Sequence, residues 1–91
     1  MFFYVYVLYS KKDNQYYTGY TSNLHKRIEE HKNKATRSTT HRQPLILIYY
    51  EASGNKQDAR AREKYLKSSP GKKFLSRRLY YQRHNDHESL L

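Results

Sequence analysis

A chain of 91 residues has the length of one domain with a thin core, and 11 tyrosines in a 15% aromatic content argue for a folded chain despite only 36% hydrophobic residues. The absence of cysteine excludes disulfides, thiolate metal sites and thiol nucleophiles, and no apolar run approaches the roughly 20 residues of a membrane span. The net charge of +10 is concentrated in residues 22–42, at +4, and residues 55–84, at +8, so a polyanionic partner is favoured over a merely solubilising surface.

Phe2 to Ser10 (FFYVYVLYS) is aromatic and β-branched almost throughout and reads as a strand. Both of its alternating faces are apolar or aromatic, which predicts a sheet covered on both sides. The same stretch lacks a basic n-region and a small-residue cleavage site, so it is not a signal peptide, and a soluble cytoplasmic protein is expected. Turn-formers at 11–15 predict a hairpin into YYTGYT, residues 16–21. Thr21 or Ser22 is expected to cap a helix running to about Lys34. Residues 33–44 are polar and basic without periodicity, and read as a loop. Leu45 to Glu51 is a short apolar run and reads as a third, buried strand. After a turn at 52–55, a second helix is expected from Lys56 or Gln57 to about Ser69, where SPG stops it. Phe74, Leu75 and Leu79 have helical spacing and predict a third helix from about Lys72 to Arg83, with a frayed tail over 84–91. The order β-β-α-β-α-α predicts one α+β domain over residues 1–83: a three-stranded, mainly antiparallel sheet flanked by three helices.

Two of these helices place charge where an apolar stripe belongs. Leu24 and Ile28 mark the core face of the first, and at about 100° per residue Arg27 and His31 fall on it too. On the second, Glu63 shares a face with Ala59 and Leu66. A carboxylate there needs a cation, whether Arg27, a neighbouring lysine or a metal, and a structural Arg–Glu pair at the core edge is the plainer alternative. On the strands, Tyr4, Tyr6 and Leu8 share one face and Tyr17 and Gly19 another, with Gly19 leaving room for a backbone or ligand to approach. In the tail, His84, His87 and Glu88 have the chemistry of a transition-metal site, although a frayed segment is expected to leave them solvated.

Tyr4-Val5-Tyr6, then Tyr17-Thr18-Gly19, then Thr21, Leu24, Arg27 and His31 form a pattern that resembles the GIY-YIG endonuclease family over nearly the whole chain. Glu63 resembles the family's metal-binding glutamate in type and position. Length and strand sequences look most like the small stand-alone bacterial members. The departures, Tyr4 and Val5 in the first triplet and Thr18 in the second, alter packing positions. The resemblance implies a metal-dependent hydrolase of DNA phosphodiester bonds, with branched or damaged DNA and a role in repair or recombination among the expectations. It implies that Tyr6 takes the proton from water and that Tyr17 positions water or substrate. A phenol ionises reluctantly at neutral pH, and Arg27 with a bound cation would favour its phenolate. His31 would fix the geometry of a tyrosine hydroxyl, Arg27 would hold phosphate oxygens, and Glu63 would ligate Mg²⁺ or Mn²⁺. Lys26, Arg37, Arg42, Arg60, Lys67, Lys72 and Lys73 are expected to contact nucleic-acid phosphates. The five residues Tyr6, Tyr17, Arg27, His31 and Glu63 are expected on one concave site. Asn85, late and in the tail, gives no match for the asparagine that many active relatives carry on the last helix. A nucleic-acid-binding module on the same fold without turnover therefore stays open, as does a basic protein-interaction adaptor.

Overall fold

The structure is a computed structural model that describes residues 1–33 and 44–84. Strands β1 (Phe3–Ser10), β2 (Tyr16–Thr21) and β3 (Leu45–Ser53) form an antiparallel sheet in the order β2-β1-β3. Helix α1 (Leu24–Lys32) joins β2 to the segment before β3, and α2 (Lys56–Lys67), α3 (Ser69–Arg78) and α4 (Tyr80–His84) follow. The α+β architecture is as the sequence predicts, with the sheet antiparallel at both pairings.

The central strand divides the core. Val5, Val7 and Tyr9 point to one side, where Ile46 and Ile48 of β3 join Ala59, Leu66, Leu75 and Leu79 from the helices after it. Tyr6 and Leu8 point to the other, onto Leu47 and Ile28 of α1. Val7 is 0% and Leu8 2% exposed, so neither face of β1 is open to water. Each such aliphatic side chain contributes about 1.5–3 kcal/mol on leaving water, and period-two alternation delivers that gain to both layers from a single strand.

A β-bulge refines this division. Val7 pairs with Tyr49 and Leu8 with Leu47, leaving Ile48 as the extra residue. Ile48 and Tyr49 consequently both pack on the α2 side. There the Tyr49 hydroxyl donates to Glu51 at 2.8 Å, and Arg62 of α2 donates to the same carboxylate through Nε at 2.9 Å and Nη2 at 3.0 Å. Burial pushes the Glu51 carboxyl up, but the hydrogen bonds from Arg62 and Tyr49 outweigh it and leave it below the usual range. This bidentate pair clamps α2 onto β3.

Element ends differ from expectation in five places. Asn23, not Thr21 or Ser22, caps α1, its side-chain oxygen accepting from the Lys26 amide at 3.1 Å. Thr21 instead closes the preceding turn on Asn23, and α1 ends at Lys32 rather than Lys34. β3 continues past Glu51 to Ser53, paired with Phe3. SPG opens a helix instead of separating two: Ser68 ends α2, caps α3 by accepting from the Gly71 amide, and leaves Pro70 in the first turn, where its missing N–H costs nothing. The expected helix over 72–83 is two, α3 and α4, divided at Leu79. Within the loop predicted for 33–44 and the tail predicted for 84–91, residues 34–43 and 85–91 lie outside the described residues. Among the described residues no helix is long and apolar enough to cross a membrane.

The joint at Ser68 depends on Gly71, which is buried against the end of α2. A Cβ there would strike the Tyr65 carbonyl and the Leu66 backbone, neither of which can swing aside. Gly71→Ala should cost about 1–3 kcal/mol, which is a fall in Tm of roughly 4–8 °C per kcal/mol for a domain this size. Thermal unfolding followed by circular dichroism checks it; an unchanged Tm would mean that the α2–α3 approach is looser than described.

Candidate active site

Among the described residues β2 pairs only with β1, and a groove of about 520 Å³ crosses its other edge. On the α1 side the groove is lined by Tyr6, Tyr17, Gly19, Arg27 and His31, and on the α2 side by Tyr20, Glu63, Lys67 and Lys72.

Its centre is the Tyr6 hydroxyl. Tyr6 pairs across the ladder with Gly19, and a Cβ at position 19 would collide with the hydroxyl and Cζ of Tyr6. The space expected for a backbone or ligand is thus filled by Tyr6 itself. Its ring meets the His31 ring edge-on at 5.7 Å between centroids, and its hydroxyl lies 3.0 Å from His31 Nε2. Arg27 Nε donates to the same oxygen at 3.3 Å. Arg27 has no acceptor to offer, so the arrangement that uses every proton has the hydroxyl accept from Arg27 and donate to Nε2, with the His31 proton on Nδ1. Burial, seconded by the charge of Arg27 and opposed by Glu30, lowers the His31 pKa and keeps the ring neutral. The hydrogen bond to Tyr6 holds Arg27 more firmly protonated; burial opposes this and Glu30, bonded to Nη1 at 3.1 Å, adds to it.

Glu63 stands on the opposite wall. Its carboxylate is 2.9 Å from Lys67 Nζ and 3.7 Å from Arg60 Nε, and the side chain is 17% exposed. Of the partners considered for it, cations of its own helix are the ones present. The Arg60 guanidinium also lies 4.8 Å above the Tyr20 ring, tying α2 to β2. The five residues expected on one concave site all line this groove, which runs around an edge of the sheet. α1 packs on the Tyr6 and Leu8 face, α2 packs on the Val5 and Val7 face, and Arg27 and Glu63 meet only across β2.

Tyr17 lines the groove, and its hydroxyl donates to Asp13 in the turn. That turn is set by Asn14 in the left-handed region at φ 58°, a conformation Asn tolerates, and Asp13 accepts in addition from the Gln15 amide at 3.0 Å. Lys26 lines a shallow depression beside Arg27, while Lys73 lies in a different groove on the far side of α3. Arg37, Arg42, Asn85, His87 and Glu88 lie outside the described residues, and His84 ends α4. Two residues escaped the sequence reading. Glu30 was signalled by its i+3 spacing from Arg27; Asp13 had no signal, because its approach to Tyr17 depends on the turn geometry.

The donor set fits a hard divalent cation shared with a phosphate. Such ions take one or two carboxylates and complete their shell with water and substrate oxygens, and Glu63 supplies one oxygen donor on the groove wall. Among the described residues no three His, Cys, Asp or Glu group into a self-sufficient cage.

The sequence profile of the GIY-YIG catalytic domain matches residues 2–78. A UPF0213 protein of Clostridium perfringens (strain 13 / Type A) is 46% identical over 65 residues, covering 70% of this chain and 69% of that one. The UPF0213 protein YazA of Bacillus subtilis (strain 168) is 41% identical over 63 residues, covering 68% of this chain and 64% of YazA. The solution NMR structure of a UPF0213 protein from Bacillus halodurans aligns with a TM-score of 0.57 at 31% identity, over 98% of this chain and 99% of that one.

Two outcomes follow from the Tyr6 centre. A lowered His31 pKa means that the unfolded chain takes up the proton first as pH falls, so stability declines from about pH 6.5 downward until native His31 is itself protonated. Tm measured between pH 7.5 and 5 should fall in the wild type, and His31→Asn should remove that part of the decline; equal slopes in both would contradict a buried neutral ring. Gly19→Ala should displace the Tyr6 hydroxyl at a cost of about 1–3 kcal/mol, read as a lower Tm and a shifted His31 ring resonance by NMR.

Proposed function

The chain belongs to the GIY-YIG catalytic-domain family, a family of nucleases that are generally divalent-metal dependent, and from that premise we propose that it hydrolyses DNA phosphodiester bonds with the groove at the β2 edge as its active site. The observation that carries this reading is the Tyr6 hydroxyl, held between His31 Nε2 and Arg27 Nε in a groove that Glu63 also lines.

In the proposed reaction the Tyr6 oxygen removes the proton of the attacking water. Its own proton moves to Nε2 of neutral His31, whose lone pair already accepts the Tyr6 hydroxyl, and Arg27 stabilises the phenolate that results. The Nη atoms of Arg27 then exchange Glu30 for a non-bridging phosphate oxygen as charge develops there. Tyr17 positions the water or the adjacent nucleotide. Glu63 would hold Mg²⁺ or Mn²⁺, which when bound supplies positive charge to the phosphate and the leaving oxygen. Lys67 and Lys72, which line the same groove, contact neighbouring phosphates. The substrate class extends to branched or damaged DNA, the setting is repair or recombination, and the compartment is the cytoplasm.

A binding module without turnover is favoured by one observation, the commitment of the Tyr17 hydroxyl to Asp13. Glu63→Gln separates the two. Glu63 pairs with exposed cations at i,i+3 and i,i+4 spacing, interactions worth about 0.3–0.5 kcal/mol each, so the variant should fold with a Tm within a few degrees of wild type. It should lose cleavage of DNA in Mg²⁺ or Mn²⁺ by about a hundredfold or more while binding DNA as well or slightly better. A stable variant that cuts at the wild-type rate would refute the role of Glu63, and a wild type that binds but never cuts branched, nicked or linear DNA would leave the binding module as the function.

A further inference from the structure

On the side of α3 away from the active groove lies a second groove of about 570 Å³, lined by Tyr65, Pro70, Lys73, Phe74, Arg77 and Arg78. It is large enough for a nucleotide-sized group. Its floor is aromatic and its rim cationic. Tyr65 is 41% exposed and Phe74 partly buried. Arg62, pinned to Glu51, lies 5.2 Å from the Tyr65 ring centre and 4.7 Å from that of Phe74, holding both rings in place. Between Glu63 and Asp86 the chain carries seven lysines and arginines and no acidic residue. Among the described residues no carboxylate pairs with Lys73, Arg77 or Arg78. A polyanion is the complement of such a rim.

We infer that this groove binds an unpaired stretch of nucleic acid, phosphates on Lys73, Arg77 and Arg78 and a base on Tyr65. The aromatic floor selects against duplex: paired bases keep their faces stacked on each other, whereas a single strand lays them on an exposed ring, a contact that tolerates any sequence. Lys72 borders the active groove and Lys73 the second, so one strand passing over the start of α3 connects them. The inference rests on the nucleic-acid partner of the proposed function but not on turnover.

The test is fluorescence anisotropy of the full chain, in EDTA, with labelled oligo-dT and with a duplex of equal length, across a salt series. The wild type should bind oligo-dT. Tyr65→Leu should weaken oligo-dT binding about tenfold with little effect on duplex, and Arg77→Gln should weaken it and reduce the log–log salt slope by about 0.7. Both side chains are exposed, so folding should be retained, as checked by Tm. In the wild type, amide shifts on adding oligo-dT should cluster at Tyr65 and 73–78. Wild-type binding of neither polymer overturns the nucleic-acid partner and this groove together. Oligo-dT binding that both variants leave unchanged, equal losses on duplex and single strand, or shifts confined to the β2-edge groove overturn the second groove alone.

Discussion

A phenol on the middle strand reaches a histidine on the flanking helix by passing over its neighbour in the adjacent strand, and that neighbour must have no side chain. Here the neighbour is Gly19, and its position opposite Tyr6 is a matter of register. A slip of one residue would bring Thr18 or Tyr20 opposite and turn the alternation inside out. The register is held at the hairpin by the left-handed Asn14, to which the Tyr9 hydroxyl donates, and by the return of the Asn14 amide to the Ser10 carbonyl at 2.8 Å. A polar turn far from any catalytic group thus determines whether Tyr6, His31 and Arg27 meet.

The same alternation explains why the site lies at an edge. With β1 buried on both faces, a cleft through the middle of the sheet would cost core packing. The border of β2 is where α1 and α2, on opposite faces, come within reach of a common ligand. The result separates two electrostatic tasks. The α1 wall keeps an imidazole neutral by burial, next to an arginine that is itself balanced by Glu30. The α2 wall holds a carboxylate already surrounded by cations, so that the groove as a whole remains positive before any ion or phosphate enters.

Most of the architecture was legible because long apolar or amphipathic segments leave few choices. FFYVYVLYS could be read as a doubly covered strand from its two apolar faces, and the inward cant of Arg27 and His31 from a simple angular count. Two of the element ends that differ turn on competition between near-equal local options. Thr21, Ser22 and Asn23 are all competent caps, and only the path of the chain out of β2 chooses among them. SPG contains a helix breaker and a helix starter at once, and the contact of Gly71 with α2 decides for the starter. Helical periodicity placed Glu63 among apolar neighbours, but not on which side of the sheet its helix would pack, so the edge geometry of the site could not be foreseen. The pairing of Tyr17 with Asp13 belongs to the turn, where sequence carries the least information about side-chain reach.

Ser68 is the last residue of one helix's cap and the first of the next, so there is no linker between α2 and α3 to absorb movement. Gly71 brings the two backbones into direct contact, and the clamp between Arg62 and Glu51 fixes α2 to β3. Glu63, next to Arg62 in α2, is held by the same clamp, so its place on the groove wall is set from the sheet.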